Sequence, residues 1–417
     1  MTQTTNNGPA AHGGIGADYR PFDHEGMYAF FARARAEAPV FWNQEIGYWV
    51  VTRRDEALAI LRDPDRFSAS IALSPVFEPP QSLVTLLAEG QMRAEPTQVS
   101  CDRPKHTRIR NSAARFLSAK NFATYEGRIR AIVQEHVASM RGKGRVDIVD
   151  ALTFEVPAKV VMLLLGVDDI DPRQIKEWGN NRLVMTFGKL SEAEQLEGGR
   201  KLLDFWRFCE ELVDARLEKP GDDYPSMMLA LRDGDDAVLT LNEIRSLMFG
   251  IMLAGHETTT NGTSNLILEL MRHRPAWERL CAEPDLIPQA VEEGLRFASP
   301  VVNWRRLALE DVVIGGIEIP RGSKILVSLG SANHDEANFD DPETYHLTRP
   351  NAREHIAFGY GTHFCIGAPL ARLEIRVMIE ELTAAFPKMT LVPDQQIDWL
   401  RTISFRGPHA LWVDLNE

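Results

Sequence analysis

Apolar and polar positions along the chain follow two different periods. Long stretches in the middle, such as "GRKLLDFWRFCEELVDARLE", repeat apolar residues every three or four positions and predict amphipathic helices. Shorter apolar stretches between turn residues predict strands. "PVFWNQEIGYWVVTR" predicts a hairpin that turns near Gly47, and "DVVIGGIEIPRGSKILVSLG" predicts further strands. Extended segments are also predicted at "MTLVPD" and "SFRGPHALWVDL". The pattern therefore predicts a mainly α chain with a small β region.

One predicted helix, "LMFGIMLAGHETTTNGTSNLILELM", has an unusual centre. Three consecutive threonines stand at mid-length, where β-branched residues are mildly unfavourable. Ala254 and Thr258 share a face, so the Thr258 hydroxyl can donate to the Ala254 carbonyl and loosen the helix locally. Ala254 and Gly255 also leave room for a flat ligand. The stretch predicts one long helix, which is either a core helix with a polar kink or a helix that faces a ligand.

Composition limits the class of protein. The chain has 417 residues, 44% of them hydrophobic, which suits a large helical domain with a buried cofactor. Its net charge of −13 argues against non-specific nucleic-acid binding. The polar first residues predict a flexible tail over 1–17, followed by a single domain over 18–417. No apolar run approaches the roughly 20 residues of a spanning helix. We therefore expect a cytoplasmic protein without a membrane partner.

A glycine-rich loop, "FGYGTHFCIG", contains Cys365, one of only four cysteines. Glycines allow such a loop to wrap a ligand closely. The next segment, "APLARLEIRVMIEELTAAF", predicts a long helix, and a cysteine at a helix N-terminus has its pKa lowered toward thiolate. Because the chain contains no CxxC pair, a disulfide or a structural zinc site is disfavoured. An inert buried thiol and a haem thiolate remain as alternatives.

This loop resembles the haem-binding loop FGxGxHxCxG of cytochromes P450. The resemblance implies the fold of that family, a helical prism enclosing haem b (iron protoporphyrin IX). It implies that Cys365 is the axial metal ligand and that Gly367 belongs to the cofactor-binding loop. Phe358 is then expected to pack near the sulfur side of the haem, and His363 to bind a propionate.

The threonine-rich helix matches the AG-x-E-T-T pattern of the same family. The resemblance implies that Ala254 lies beside the haem. It also implies that Glu257 and Thr258 are catalytic, as an acid and alcohol pair that delivers protons to dioxygen.

A third motif is "EEGLR", in a helix predicted to begin near Pro288 and to stop before Pro300. An exposed Glu293–Arg296 pair would contribute little, whereas a buried pair needs further partners. The pair matches the family's ExxR motif. Arg349 completes it, at the end of an FxxPxxYxxxR segment formed by Phe339, Pro342 and Tyr345. The resemblance implies a structural triad of Glu293, Arg296 and Arg349 that supports the thiolate loop.

Cations for the haem propionates come from two segments. His106 and Arg110 in "CDRPKHTRIRNSAARF" match the family's HxxxR, although a basic cluster of this size is more often a solvated helix face. Arg305 stands at the other propionate-binding position, with Arg306 leaving the register uncertain by one. Bidentate arginine suits a carboxylate.

The resemblance runs from about Asp18 to the end of the chain. "EIGYWVVTR", "SANHDE" and "SFRGP" are most similar to haem domains of bacterial self-sufficient enzymes, in which a reductase is fused behind the haem domain. The 417 residues contain no Cys-x4-Cys-x2-Cys run of a plant-type iron–sulfur domain. We therefore expect a separate ferredoxin and NAD(P)H-dependent reductase, with docking through the basic residues Arg103, Lys105, Arg108 and Arg372.

The expected reaction is insertion of one oxygen atom from O2 into a C–H bond, as hydroxylation or oxidative dealkylation. A small or medium apolar organic substrate is expected, because the candidate contacts are mostly apolar: Val76, Phe77, Met185, Phe187, Met252, Val301, Val302 and Ile403. A peroxide-driven peroxygenase, which would not need the acid and alcohol pair, is one alternative. A haem-based sensor or ligand-binding protein is the other.

Overall fold

Helices form most of the computed structural model, which describes residues 14–167 and 169–416. Short 3-10 or π segments connect several of them. The helices are α1 (Ile15–Asp18), α2 (Met27–Glu37), α3 (Arg54–Arg62), α4 (Gln81–Glu89), α5 (Lys105–Ala113), α6 (Ala119–Thr124), α7 (Glu126–Met140), α8 (Glu155–Leu165), α9 (Pro172–Phe187), α10 (Glu192–Glu218), α11 (Tyr224–Arg232), α12 (Leu241–Ala254), α13 (Glu257–Arg272), α14 (Arg274–Ala282), α15 (Ile287–Phe297), α16 (Leu329–Ala332) and α17 (Ala368–Ala385).

Three small sheets complete the fold of the described residues. Their strands are β1 (Val40–Asn43), β2 (Tyr48–Val51), β3 (Phe67–Ser68), β4 (Arg145–Asp147), β5 (Trp304–Ala308), β6 (Val312–Ile314), β7 (Ile317–Ile319), β8 (Lys324–Val327), β9 (Thr390–Leu391) and β10 (Trp412–Asp414). The largest sheet has the order β1-β2-β8-β5-β3, in which β2 and β8 are parallel and the other pairs are antiparallel. Strands from distant parts of the chain therefore meet in one sheet, and the predicted mainly α class with a small β region is confirmed.

The predicted N-terminal hairpin is present. Val40 pairs with Val51 and Asn43 with Tyr48. Gly47 has a φ of +68°, a left-handed conformation that glycine adopts without strain, so it closes the turn.

The flexible tail predicted over residues 1–17 is too long. Residues 1–13 of that tail lie outside the described residues. Ile15–Asp18 form α1, and Ile15 is buried with Tyr19 and Phe41 in one apolar cluster. Burial of Ile15 explains the error, because a single apolar residue among polar ones gives no periodic signal.

The core is built around α13. Nearly every residue of this helix is buried, and it packs against α15 and α17. The cysteine-loop helix α17 packs on α7 as well. Amphipathic α10 covers the opposite side through contacts with α4, α9 and α12. In the described part of the chain, no helix is long and apolar enough to cross a membrane.

The prediction of one long threonine-rich helix was wrong, because the helix is divided. α12 ends at Ala254 and α13 begins at Glu257. At the junction, a Cβ on Gly255 would lie 2.6 Å from Val161 Cγ2, so α8 approaches the backbone closely here. The predicted loosening bond is present, because Thr258 Oγ1 donates to the Ala254 carbonyl at 3.0 Å. The threonine bond and the close packing at glycine account for the break.

Candidate active site

The glycine-rich loop presents Cys365 directly ahead of α17. The Cys365 N–H donates to the Phe358 carbonyl at 2.9 Å, which closes the loop on itself. Gly359 and Gly361 have φ of +71° and +70°, and a Cβ on Gly361 would lie 2.6 Å from the Leu61 carbonyl oxygen. The two glycines are therefore required by backbone conformation and, at Gly361, by space as well. Of the four cysteines, Cys365 alone is exposed.

The acidity of this thiol differs from the prediction. Surrounding protein raises the pKa of Cys365, and this effect outweighs the backbone N–H groups of Gly367 and Ala368 and the charges of Arg110 and Arg372, which lower it. The helix N-terminus therefore lowers the pKa of Cys365, as predicted, but by less than the surrounding protein raises it. A metal ion at the sulfur would supply the missing stabilisation of the thiolate.

The predicted triad is assembled and completely buried. Arg296 donates to both carboxylate oxygens of Glu293 at 2.8 Å, and Arg349 Nε donates to the same oxygens at 3.1 and 3.2 Å. Glu293 also accepts from the His346 N–H at 3.0 Å. Further donors of both arginines reach backbone carbonyls, including those of Asn333 and Asp341. Each charge is thus both paired and hydrogen-bonded, which a buried cluster requires.

A short chain of bonds connects the triad to the cysteine loop. Arg296 Nη1 donates to the Asn333 carbonyl at 2.8 Å, and Asn333 Oδ1 accepts from the Ile356 N–H at 2.7 Å. The Ile356 carbonyl then accepts from the Gly359 N–H at 2.9 Å. The triad therefore fixes the backbone that leads into the loop.

Two histidine rings are in contact at this loop. The ring centroids of His106 and His363 are 4.4 Å apart, and the ring planes are tilted by 58°. His363 Nδ1 donates to the Gln98 carbonyl at 3.1 Å, whereas both ring nitrogens of buried His106 have no protein partner. Burial, and then the Arg306 charge, lower the pKa of His363 to about 3. Arg110 lies at the same loop and donates to the Phe364 carbonyl at 2.8 Å.

The choice of Arg305 as the second arginine of this site is not supported by the geometry. Neighbouring side chains on strand β5 point to opposite faces. Arg305 donates to the carbonyls of Ser74 and Ala72 at 2.6 and 2.7 Å, away from the histidines. The Arg306 charge helps to lower the pKa of His363, and the Arg306 side chain bonds only to the Arg305 carbonyl among the described residues. Arg306 therefore replaces Arg305 as the cation available to an anionic ligand.

The break between α12 and α13 leaves part of the helix surface accessible. Ala254 is exposed, and Thr258 is partly exposed. Because the Thr258 hydroxyl donates to the Ala254 carbonyl, its oxygen remains free to accept a hydrogen bond. This arrangement places a small residue and a hydroxyl together on an accessible helix face.

Glu257 points away from Thr258 toward α9. Lys176 Nζ lies 2.6 Å from Glu257 Oε1, and both side chains are buried. With its amide nitrogen turned toward Glu257, Asn180 donates to the two oxygens at 2.8 and 2.9 Å. His256 Nδ1 is 2.9 Å from Oε1. Burial alone would raise the pKa of Glu257, but the Lys176 charge and His256 outweigh it and hold the pKa at about 2. The predicted acid and alcohol pair is therefore not in contact.

Comparison with known proteins identifies the family. The family profile described as Cytochrome P450 matches residues 201–398. The 6-deoxyerythronolide B hydroxylase of Saccharopolyspora erythraea is 33% identical over 397 residues, covering 94% of this chain and 97% of that protein. The chain belongs to the cytochrome P450 family. It is a cytochrome P450 monooxygenase, and haem is its cofactor.

Two solved structures of cytochromes P450 show how much of such proteins the chain covers. Cytochrome P450 CREJ, in complex with (4-ethylphenyl) dihydrogen phosphate, aligns with a TM-score of 0.93 at 34% identity, covering 96% of this chain and 99% of that one. Full-length CYP116B46 from Tepidiphilus thermophilus aligns with a TM-score of 0.93 at 36% identity, covering 96% of this chain but 54% of that one. The predicted similarity to haem domains of fusion enzymes is confirmed, and the fold is the cytochrome P450 fold.

The residues described above fit a haem. An exposed cysteine lies in a glycine loop, and the small residue Ala254 is exposed at the break between α12 and α13. The unpartnered nitrogens of His106, together with Arg110 and Arg306, suit the two carboxylates of the porphyrin. No group of three or more histidine, cysteine, aspartate or glutamate side chains within residues 14–167 and 169–416 could hold a metal ion by itself. A single thiolate on a porphyrin-bound iron is consistent with this finding.

Lys176 and Asn180 of this P450 were not predicted from its sequence. The signal was present: Lys176, Gly179 and Leu183 follow at spacings of three and four, and all three are buried. A lysine on the inward stripe of a helix requires a buried anion. A Cβ on Gly179 would overlap the His256 ring, so this glycine permits the close approach of the two helices.

The predicted substrate residues separate into two groups. Six of them belong to or pack on one apolar cluster: Val76, Phe77, Phe187, Val301, Val302 and Ile403. Backbone bonds hold this group together, since the Val76 N–H donates to Thr186 O and the Ile403 N–H to Phe187 O. Met185 and Met252 instead pack in the large helical core. The eight predicted contacts therefore belong to two apolar clusters, and their role toward a substrate stays a prediction.

The predicted docking residues are also mostly engaged. Lys105 pairs with Glu95, Arg108 with Glu243 and Arg372 with Glu292. Their charges are therefore partly neutralised within the chain, and docking through the four basic residues stays a prediction. Arg103 is exposed and has no carboxylate partner among the described residues, and its guanidinium lies 3.4 Å from Thr362 Oγ1 in the cysteine loop.

Proposed function

We propose that this cytochrome P450 monooxygenase inserts one oxygen atom from O2 into a C–H bond of a small or medium apolar organic molecule, by hydroxylation or oxidative dealkylation. The observation that supports the proposal is that the chain has both an exposed Cys365 in its glycine loop and an accessible helix face at Ala254 and Thr258. When bound, a thiolate-ligated haem supplies oxygen activation, since the thiolate pushes electron density that favours O–O cleavage.

The remaining roles belong to side chains of this chain. Cys365 would hold the iron, and Phe358 and Gly367 shape the loop around the sulfur. His106, Arg110 and Arg306 would bind the propionates. Thr258 accepts a hydrogen bond from a proton-bearing water while its own proton is donated to the Ala254 carbonyl. The substrate lies against the apolar cluster of Val76, Phe187 and Ile403.

Glu257 has a more restricted role than its motif suggests. Its carboxylate is ionised at neutral pH and bound to Lys176. To carry a proton toward Thr258, it must first leave that ammonium. We therefore propose that Lys176 sets the availability of Glu257.

Electrons are proposed to come from a separate ferredoxin and an NAD(P)H-dependent reductase. The supporting observation is the exposed Arg103 beside the cysteine loop, which offers an acidic protein a cation that no carboxylate of the described chain neutralises. Arg103→Gln should weaken reduction at low salt and have less effect at high salt, because salt screens exposed charges.

The reduced holoenzyme with carbon monoxide tests the proposal. We expect the red-shifted Soret band of a thiolate haem, together with product from O2, ferredoxin, reductase and NADPH. Cys365→His should lose both. A wild-type protein that forms product equally well with peroxide alone would favour a peroxygenase, and one that binds haem but converts no compound of an apolar panel would favour a sensor.

A further inference from the structure

Glu292, the neighbour of the triad's Glu293 on α15, forms a second buried ion pair. Only 5% of its side chain is exposed, and its two oxygens accept from Arg372 Nε at 2.7 Å and from Arg372 Nη2 at 3.0 Å. Two parallel bonds of this kind make a strong pair. Burial alone would raise the pKa of Glu292, but the bonds from His355 and Arg372 outweigh it and hold the pKa at about 2. Glu292 is therefore a carboxylate at neutral pH.

The third member of this cluster is His355, a buried imidazole whose proton position is determined by its neighbours. The Ala357 N–H donates to His355 Nδ1 at 3.1 Å, so this nitrogen is an acceptor. The proton therefore lies on Nε2, which donates to Glu292 Oε2 at 3.1 Å. Burial lowers the pKa of His355, which keeps the ring neutral at neutral pH. Glu292 therefore holds His355 and, through it, the backbone just before the cysteine loop.

Both partners of Glu292 contact Phe358, the first residue of that loop. The guanidinium carbon of Arg372 lies 4.6 Å from the centre of the Phe358 ring, and the ring centroids of His355 and Phe358 are 5.7 Å apart. The Phe358 carbonyl in turn accepts from the Cys365 N–H at 2.9 Å. A short series of contacts therefore connects the Glu292 carboxylate to the Cys365 backbone.

Charge from this cluster also acts on Cys365. Arg372 lies in the second turn of α17, which begins at Ala368, three residues after Cys365. Burial raises the pKa of Cys365, and the Arg372 charge is one of the effects that lower it. Glu292 carries the opposite charge beside Arg372, so it cancels part of this effect. A further cation, Arg353, lies 3.9 Å from Glu292, but 75% of its side chain is exposed and solvent screens it.

We propose that Glu292 is a positioning residue that keeps the reduction potential of the haem low. It holds Arg372 and His355 against Phe358, and its negative charge offsets the charge of Arg372. Reduction adds one electron to ferric haem and gives ferrous haem, so a nearby cation favours the step and a nearby anion opposes it. This inference rests on the proposed function, since it requires Cys365 to hold the iron.

A purely structural role for the pair makes a different prediction. If Glu292 and Arg372 only hold the loop in shape, Glu292→Gln and Arg372→Met disturb the same contacts and should shift the potential in the same direction. If their charges act on the haem, the two substitutions should shift it in opposite directions. The double variant should then lie closer to the wild type than either single variant.

Redox titration of the purified holoenzyme measures this difference, with dithionite as the electron donor, mediator dyes and haem absorbance as the signal. We expect Glu292→Gln to raise the potential and Arg372→Met to lower it. Each should change the ratio of ferrous to ferric haem at a fixed potential by about 3- to 10-fold, at most about 60 mV for one electron. The control is Arg376→Met, one turn further along α17, where Arg376 pairs with Glu126 and Glu380. It should leave the potential unchanged.

Shifts of the same sign in the two single variants would overturn the inference, and so would an unchanged potential in Glu292→Gln. If one single variant does not retain haem, the other must keep its predicted sign relative to both the wild type and the double variant, or the inference fails. A shift in Arg376→Met as large as that in Arg372→Met would also overturn it. The proposed function fails separately, through a missing thiolate carbonyl band in the wild type, whereas a normal band with shifts of the same sign rejects only the role of Glu292.

Discussion

Two buried charge clusters flank the site, and they are satisfied to different degrees. On the cysteine side, Glu293 accepts from two arginines and a backbone N–H, and those arginines also donate to several backbone carbonyls. On the side of the Thr258 helix, here called the oxygen side, Glu257 contacts the Lys176 ammonium, the Asn180 amide and the His256 ring. The first cluster joins segments that support a loop. The second joins two helices, α9 and α13, across the break in the distal helix.

The difference concerns how many bonds must break for a carboxylate to move. Arginine offers five donors in a fixed fork, whereas a lysine offers a point charge on a flexible stem. Releasing Glu293 would leave two guanidiniums buried without their anion. Releasing Glu257 would break its contacts to Lys176, Asn180 and His256 and would leave one buried ammonium without its anion, although that ammonium also donates to Thr260 Oγ1 at 3.0 Å. The carboxylate on the cysteine side is therefore held by more charged donors than the carboxylate on the oxygen side.

The largest effect is expected from Glu293→Gln. The substitution keeps the shape and removes the charge that Arg296 and Arg349 share, so it should cost about 3–5 kcal/mol and release haem. Urea unfolding followed by circular dichroism and by haem absorbance measures both.

The matched control is Glu278→Gln on α14. Glu278 pairs with Arg274 at 2.9 Å on the surface, where 61% of its side chain is exposed. Its loss should cost less than about 0.5 kcal/mol. Similar costs for the two substitutions would mean that the buried triad does not stabilise the loop.

The second largest effect on stability is expected from Lys176→Met. It leaves the buried Glu257 carboxylate with His256 and Asn180 but without the Lys176 ammonium. The loss of unfolding free energy should be about 3 kcal/mol, the low end of the range for breaking a buried ion pair. Lys176→Met with Glu257→Gln should recover most of the loss, because no unpaired charge remains. A double-mutant cycle of unfolding free energies measures the coupling.

Lys189→Met serves as the control, since Lys189 pairs with Glu45 on the surface and 62% of its side chain is exposed. It should change stability by less than about 1 kcal/mol. Additive effects of Lys176→Met and Glu257→Gln would show that the two groups are not coupled.

The pH dependence of the oxygen-side cluster is a smaller effect. The folded pKa of Glu257 is about 2, below its ordinary value of 4.5. Its contribution is therefore present above pH 4.5 and is lost as pH falls toward 2. Between pH 4.5 and 3, the wild type should lose about 2 kcal/mol more than the Lys176→Met, Glu257→Gln variant. Parallel stability curves for the two proteins would contradict the depressed pKa.

Sequence patterns predicted the parts of this molecule that are local. The hairpin at Gly47, the helix carrying Glu293 and the bond from Thr258 to Ala254 depend on residues close in the chain, and all three are present. The family resemblance supplied the long-range triad with Arg349.

The predictions were wrong where packing or strand register determines the position of a side chain or the end of a helix. The face of Arg305 or Arg306 depends on a single-residue register in β5, which a sequence pattern of two adjacent arginines does not fix. The partner of Glu257 lies on α9, far away in the chain, so only the buried position of Lys176 on that helix could have indicated it. The helix break depends on the approach of Val161 to Gly255.

Thr258→Ala has the smallest expected effect on stability and separates structure from catalysis on the oxygen side. Alanine is the better helix former, so the change should alter the unfolding free energy by less than about 1 kcal/mol. Haem incorporation, ligand-induced spin shift and first reduction should stay near normal. If the Thr258 hydroxyl positions a proton-bearing water, product per NADPH should fall several-fold, with hydrogen peroxide released in its place.

Thr258→Ser is the matched variant, because it keeps the hydroxyl that donates to the Ala254 carbonyl and removes only the methyl group. It should retain most of the coupling between NADPH oxidation and product. Product and peroxide are quantified for both variants against NADPH consumed. Unchanged coupling in Thr258→Ala would leave Thr258 only its part in the helix break, and it would make the oxygen side, like the cysteine side, a structural cluster only.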